Sequence, residues 1–399
     1  MKIGLLFALF FLILVIGIVN NVFGSTNREV VSQQNLVGRN FDQIRVNEIE
    51  LFFYSAPKAL NWSSPSSLIQ SAVSNSLSPV LGPSSLNQEG RDVFKGVDSE
   101  IFLALDRAPL SKEDLVSALQ EPAGLSYSND SERGLSFHPH AISHLNVRVH
   151  CSENDEEILG STSAESTGAT LRKLLVKNAG METLIENVRG AMYSTEQVKK
   201  WLPWMQERGG VHSVRYKVSA SLCQYMKGFL RAYERAGHAL IYGGLQAEPL
   251  NGEGAGCAAF GMSFLKVAGL YDRIFDTKFI RNIKIPLATM NLPGAPAKFN
   301  FYDFYLGRGP SWAEISEPHR SLSFWDPQLM HAWVENVARG REFWFRDHEV
   351  QKKGKSFVLQ VDARHVRTPK NAFSFSFSHL KRVQAEVHRL WSSSQDGLN

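Results

Sequence analysis

The stretch NGEGAGCAAFGMSFLKVAGL (251–270) sets three glycines ahead of a single cysteine and follows it at once with an apolar run. Gly252, Gly254 and Gly256 let the backbone take left-handed or tight conformations. Behind them Ala258, Phe260, Phe264, Leu265 and Val267 recur at helical spacing, and Gly269 closes the segment. The pattern predicts a helix whose first turn carries Cys257. At that end of a helix unpaired N–H groups point outward and the dipole is positive. Such a setting lowers a thiol pKa, and the same N–H groups can hold an oxyanion formed by attack on a carbonyl. The plainer alternative is a small hydrophobe packing a helix start.

The rest of the chain reads as a mixture of strands and helices. EIELFFYSAP (48–57) is a strand candidate stopped by Pro57. Residues 60–89 are dense in Ser and Pro, with a short amphipathic helix at 66–76. Residues 97–108 read as a further strand and 112–121 as a helix. In HPHAISHLNVRVHCSE (138–153), Leu145, Val147 and Val149 alternate with His144, Asn146, Arg148 and His150, the mark of a strand with one apolar face. Helices are expected at 169–180, at 195–208 (capped by Thr195 and broken near Pro203) and at 219–237 (capped by Ser219, stopped by Gly237). A strand at 209–219 lies between the last two. The tail holds a Trp-rich helix candidate at 326–347, a strand at 356–362 and the alternating FSFSFSH (373–379). This order is α+β rather than regularly alternating βαβ.

The first residues point to export. Lys2 precedes an apolar run from Ile3 to Val19, a polar break at Asn20 and Asn21, and the small Gly24 before Ser25. That is the form of a secretory signal peptide, with an uncleaved membrane anchor as the alternative. The reading divides the chain into a signal peptide (1–24), a polar lead-in (25–47), a core with a Ser/Pro-rich insertion (48–280) and a C-terminal extension (281–399). The expected location is periplasmic or secreted, with membrane attachment only if the leader stays on. Lys and Arg outnumber Asp and Glu by 43 to 39 without a long basic block, which does not argue for nucleic acid. The three cysteines are Cys151, Cys223 and Cys257, so at least one has no partner within the chain. Pairing of Cys151 with Cys223 would leave Cys257 free.

A thiol nucleophile needs a base and a group to orient it. His144, at the start of its strand, is the candidate base, with His138, His140 and His150 as neighbouring rivals. Asn146, His212 and Glu153 are candidates for the third group. HPHAISH offers His138, His140 and His144 to a metal, but no HExxH or paired CxxC accompanies it, and neither metal nor cofactor is expected.

YGGLQAEPLNGEGAGCAAFGMSFLKVAG resembles the nucleophile segment of the NlpC-type cell-wall peptidases and their papain-like relatives. Tyr242, Gly243, Gly244, Cys257, Phe260 and the closing Ala268-Gly269 carry the likeness. Gly-Cys-Ala-Ala stands where those peptidases commonly have Asp-Cys-Ser-Gly. Histidine before cysteine, with ISHLNVRV upstream, is similar to the circularly permuted branch. The resemblance covers about 138–272. It implies a papain-like antiparallel sheet with the cysteine helix against it, and Cys257 and His144 as nucleophile and base. The implied activity is an exported cysteine hydrolase working on an amide or acyl bond through a thioester, with peptide, cell-wall or acyl substrates. The competing expectation is a non-catalytic exported binding or structural protein.

Overall fold

The computed structural model describes residues 46–56, 59–77, 143–152, 156–164, 180–291, 304 and 307–392. The signal-peptide, 97–108 and 112–121 readings lie outside these residues, as do Glu153, His138, His140, nearly all of 169–180 and all of the lead-in but residues 46 and 47.

The α+β expectation holds. In chain order the first elements are β1 (Glu48–Tyr54), α1 (Pro65–Leu77), β2 (His144–Cys151), β3 (Glu156–Gly160), β4 (Thr162–Ala164) and β5 (Val188–Met192). Then come α2 (Thr195–Arg208), β6 (Val211–Lys217), α3 (Ala220–Arg235), β7 (Ile241–Tyr242) and α4 (Cys257–Ala268). The chain continues through α5 (Ile274–Lys278), β8 (Ile280–Pro286), β9 (His319–Trp325), α6 (Pro327–Ala338), β10 (Glu349–Lys353), β11 (Ser356–Asp362) and α7 (Phe377–Ser392).

Six strands form the main sheet, in the order β10-β11-β6-β1-β2-β3. The sheet is mixed, because β11 runs parallel to β6 while the other pairs are antiparallel. A uniformly antiparallel sheet is therefore corrected. The boundary at 280/281 does not divide this sheet either, since the tail supplies β10 and β11, and α6 packs across β1, β6 and β11.

Alternation along the strands decides the two faces. Ile49, Leu51 and Phe53 of β1, Leu145, Val147 and Val149 of β2, and Val214 and Tyr216 of β6 turn to one face and join α3, α4 and α6 in the principal core. Phe52, Tyr54, Leu159 and Val211 turn to the other and meet Val198 and Met205 of α2. Farther along that second face β1 carries Glu50, fully buried. Burial works to raise its pKa, but Arg148 and Arg215 at 2.5 and 3.1 Å and a bond from Ser213 Oγ outweigh it and leave the carboxyl below its usual range. One carboxylate thus ties the three central strands together.

Two helices differ from expectation. The cap of α2 is Ser194, whose side chain accepts from Gln197 N while Gln197 reaches back, and the helix runs unbroken through Pro203. The Trp-rich helix ends at Ala338, where Gly340 takes a left-handed φ of 67° that a helix cannot continue. Over the alternating 373–379 stretch, Phe373 and Phe375 pack near Phe229, and α7 begins at Phe377.

Cys151, at the end of β2, is disulfide-bonded to Cys223 in the first turn of α3, with Cα atoms 5.7 Å apart and a sequence separation of 72. Cys257 is the free thiol. Closing a loop of that length stabilises by about 4 kcal/mol through the unfolded chain. Replacing both Cys151 and Cys223 by Ala should lower unfolding free energy by about 3–4 kcal/mol, read from urea titrations, with oxidised and reduced wild type as controls.

Candidate active site

The cysteine helix is seated by a close approach. Gly261 of α4 lies over Leu145 of β2, and a Cβ at 261 would overlap that side chain. The seat brings the first turn of α4 to the open end of β2. Cys257 is 6% exposed, and the backbone N–H of Leu145, the Tyr242 hydroxyl and the N–H groups of Ala258 and of its own residue act on the thiol to favour its charged form. Leu145 is the residue directly after His144. The predicted nucleophile therefore meets β2 one residue from the predicted base.

The loop leading in explains the glycines. Gly252 and Gly254 hold left-handed φ of 82° and 76°, and Gly256 is the N-cap of α4. At Gly244 a Cβ would overlap the Ile185 backbone, and Leu245 N bonds to Leu184 O there. The paired glycines thus let two backbones touch and set Tyr242 beside the thiol.

His144 is 5% exposed. Its side chain leaves β2 on the face opposite Leu145, with its ring centroid 5.7 Å from Tyr193 and 6.4 Å from Tyr54. Asn146, two residues on and on the same face, interacts with that ring and donates to Tyr54 Oη at 3.1 Å. The structure therefore brings His144 and Asn146 together. Tyr193 in turn interacts with Tyr242, which bonds to Cys257. Tyr193 was missed in the sequence; its only signal is a place between the end of β5 and the Ser194 cap.

His212 lies elsewhere. It sits on β6, two strands from β2, stacked on His331 of α6 at 4.1 Å, and its Nδ1 accepts from Phe357 N–H. Among the described residues no cluster of His, Cys, Asp or Glu is arranged to hold a metal, and no helix is long and apolar enough to cross a membrane.

Electrostatics correct one expectation. The helix N-terminus and its N–H donors do favour a thiolate, yet burial outweighs them and pushes the Cys257 thiol up to about 11. Burial likewise lowers His144 to about 3, only partly offset by Asn146. The resting pair is a neutral thiol and a neutral imidazole. The arrangement still supplies a sulfur nucleophile, convergent N–H donors for an oxyanion and an imidazole on the adjoining residue. It thus defines an α+β protein with a thiol-centred site at a helix N-terminus. Compared with known protein families, curated proteins and solved structures, the chain matches none of them.

Iodoacetamide should modify Cys257 of the resting protein at least about a hundredfold more slowly than a free cysteine at pH 7.5, with the rate climbing toward pH 11. A second expectation concerns acid. His144, His212 and His238 are held near 3 chiefly by burial, and His331 and His379 are lowered too. Each binds a proton more readily unfolded than folded, so the stability they contribute is complete above about pH 6.5 and drains away as pH falls toward 3. Each fully buried case amounts to about 2 kcal/mol at pH 5. Denaturant midpoints should fall steeply between pH 7.5 and pH 5.

Proposed function

We propose that the protein is an exported cysteine hydrolase with a permuted papain-like core, acting on an amide or related acyl bond, with peptidoglycan peptide stems as its substrate class. One observation carries the reading: the Cys257 thiol stands at the first turn of α4, where the N–H of Leu145, the residue beside His144, favours its charged form. Export accords with the leader-like first residues and with the Cys151–Cys223 disulfide, which suits an oxidising compartment.

In this mechanism His144 takes the thiol proton as Cys257 attacks the carbonyl carbon, because the resting sulfur is protonated. The N–H of Cys257 and a neighbouring donor hold the oxyanion. Collapse expels the leaving amine or alcohol, which receives the proton from His144. Water, deprotonated by His144, then cleaves the thioester and restores the thiol. Asn146 orients the imidazole.

The second reading, a non-catalytic exported protein with Cys257 as a packing residue, is favoured by the burial that drives the thiol to about 11. Incubation with muropeptides and mass spectrometry separates the two. Hydrolysis, with an acyl adduct on Cys257 that hydroxylamine removes, is expected. Cys257→Ala should abolish it, and His144→Ala should slow turnover by about 10²–10⁴. Hydrolysis surviving in Cys257→Ala, or no turnover and no adduct with peptide or ester substrates, would establish the packing role instead.

A further inference from the structure

A second pair of histidines lies behind the cysteine loop. His238 follows the Gly237 stop of α3 and is fully buried; His379, in the first turn of α7, is 5% exposed. Their Nε2 atoms are 2.9 Å apart. At that separation one nitrogen donates and the other accepts, so at least one of the two rings must keep Nε2 unprotonated. Nδ1 of His238 is buried with no hydrogen-bond partner. The pair therefore has no anionic acceptor to compensate a positive charge.

The surroundings agree. From α3, the Tyr233 ring stacks on His238 at 4.8 Å, and its phenol stays protonated because burial raises its pKa. From the segment before α7, Phe375 lies 4.6 Å from His238 and 4.5 Å from His379. From α7 itself Arg382 adds a cation that opposes a second one on His379. From the glycine loop, Gly252 rests on the His379 ring, where a Cβ would come within 3.2 Å. No carboxylate among the described residues contributes to the titration of either histidine.

What the pair holds is the loop. Arg382 donates to the Asn251 carbonyl at 2.9 Å, and Val383 packs with Ile241, the residue before Tyr242. The far half of α7 is tied separately, by Asn187 to Glu386 and by Arg189 to the carbonyls of Leu390 and Trp391. We propose that the His238–His379 pair is an acid-sensitive latch that holds the first turns of α7 on the glycine loop leading into Cys257. Protonation of both rings breaks the shared hydrogen bond and sets two cations in contact, so those turns lift while the far half stays tied. The latch is independent of whether Cys257 is a nucleophile.

Hydrogen exchange followed by mass spectrometry on the full chain at pH 7.5 and pH 5.5, corrected for intrinsic exchange, tests it. Peptides from 377–384 and 249–256 are compared with β6 as an internal reference for global loosening. One histidine taking up a proton on opening makes opening about tenfold more favourable at pH 5.5, and two make it about a hundredfold. A loss of protection of that size beyond any in β6 is expected. It should shrink about tenfold in His379→Gln, which keeps an N–H toward His238 but leaves only His238 to titrate, and vanish when His238→Gln is added; His379→Phe gives the same single-variant readout should His379→Gln fold poorly. Protection falling no more than in β6, or an excess loss undiminished in the single variants, would overturn the latch.

Discussion

The contact of Gly261 with Leu145 is the constraint on which the arrangement of the molecule turns. A helix can lie directly on a sheet only where its side chains leave room, and here a whole side chain is missing at the crossing. The strand fills the gap with Leu145, whose side chain is fully buried. That contact lets α4 lie close on β2 near its start. Cys257 must arrive at the end of β2, and the glycine loop must fold back to deliver it there. The disulfide pins the other end of β2 to α3, the helix alongside α4. Glu50 fastens β2 to β1 and β6 from the opposite face.

The same seating sets the chemistry. A helix N-terminus and several N–H donors act together on one sulfur, and in water they would stabilise its thiolate. Here the sulfur lies under the helix with little solvent, and desolvation is the larger effect. Strand alternation adds a second consequence. Leu145 and His144 are adjacent in the chain but leave the sheet on opposite faces, so the imidazole meets Tyr193 on the face away from Leu145. Any reaction at this sulfur involves transfer of a proton in the complex with substrate rather than a preformed ion pair.

Much of this was readable from residues alone where the signal is local. Helix starts and stops at Ser219, Gly237, Gly256 and Gly269 stand where capping chemistry calls for them. The period of two in HLNVRVHC marks β2, and an odd cysteine count leaves at least one cysteine without a partner within the chain. The failures are non-local. The parallel pairing of β11 with β6 leaves no mark in either strand, and the shape of the tail gave no hint that it enters the central sheet. His212 reads like any polar strand residue until α6 brings His331 onto it. Tyr193 belongs to the candidate site only because β5 and β7 pair.

The sequence by itself determined that a cysteine opens a helix behind a glycine loop, that an alternating strand begins at His144, and that the chain is α+β. These follow from backbone preference and side-chain period, which act within a few residues. Only the tertiary structure decided that this helix start meets this strand start, that Asn146 rather than His212 accompanies His144, and that the thiol rests protonated. Each of those depends on which surfaces exclude water from one another, a property of packing between segments far apart in the chain.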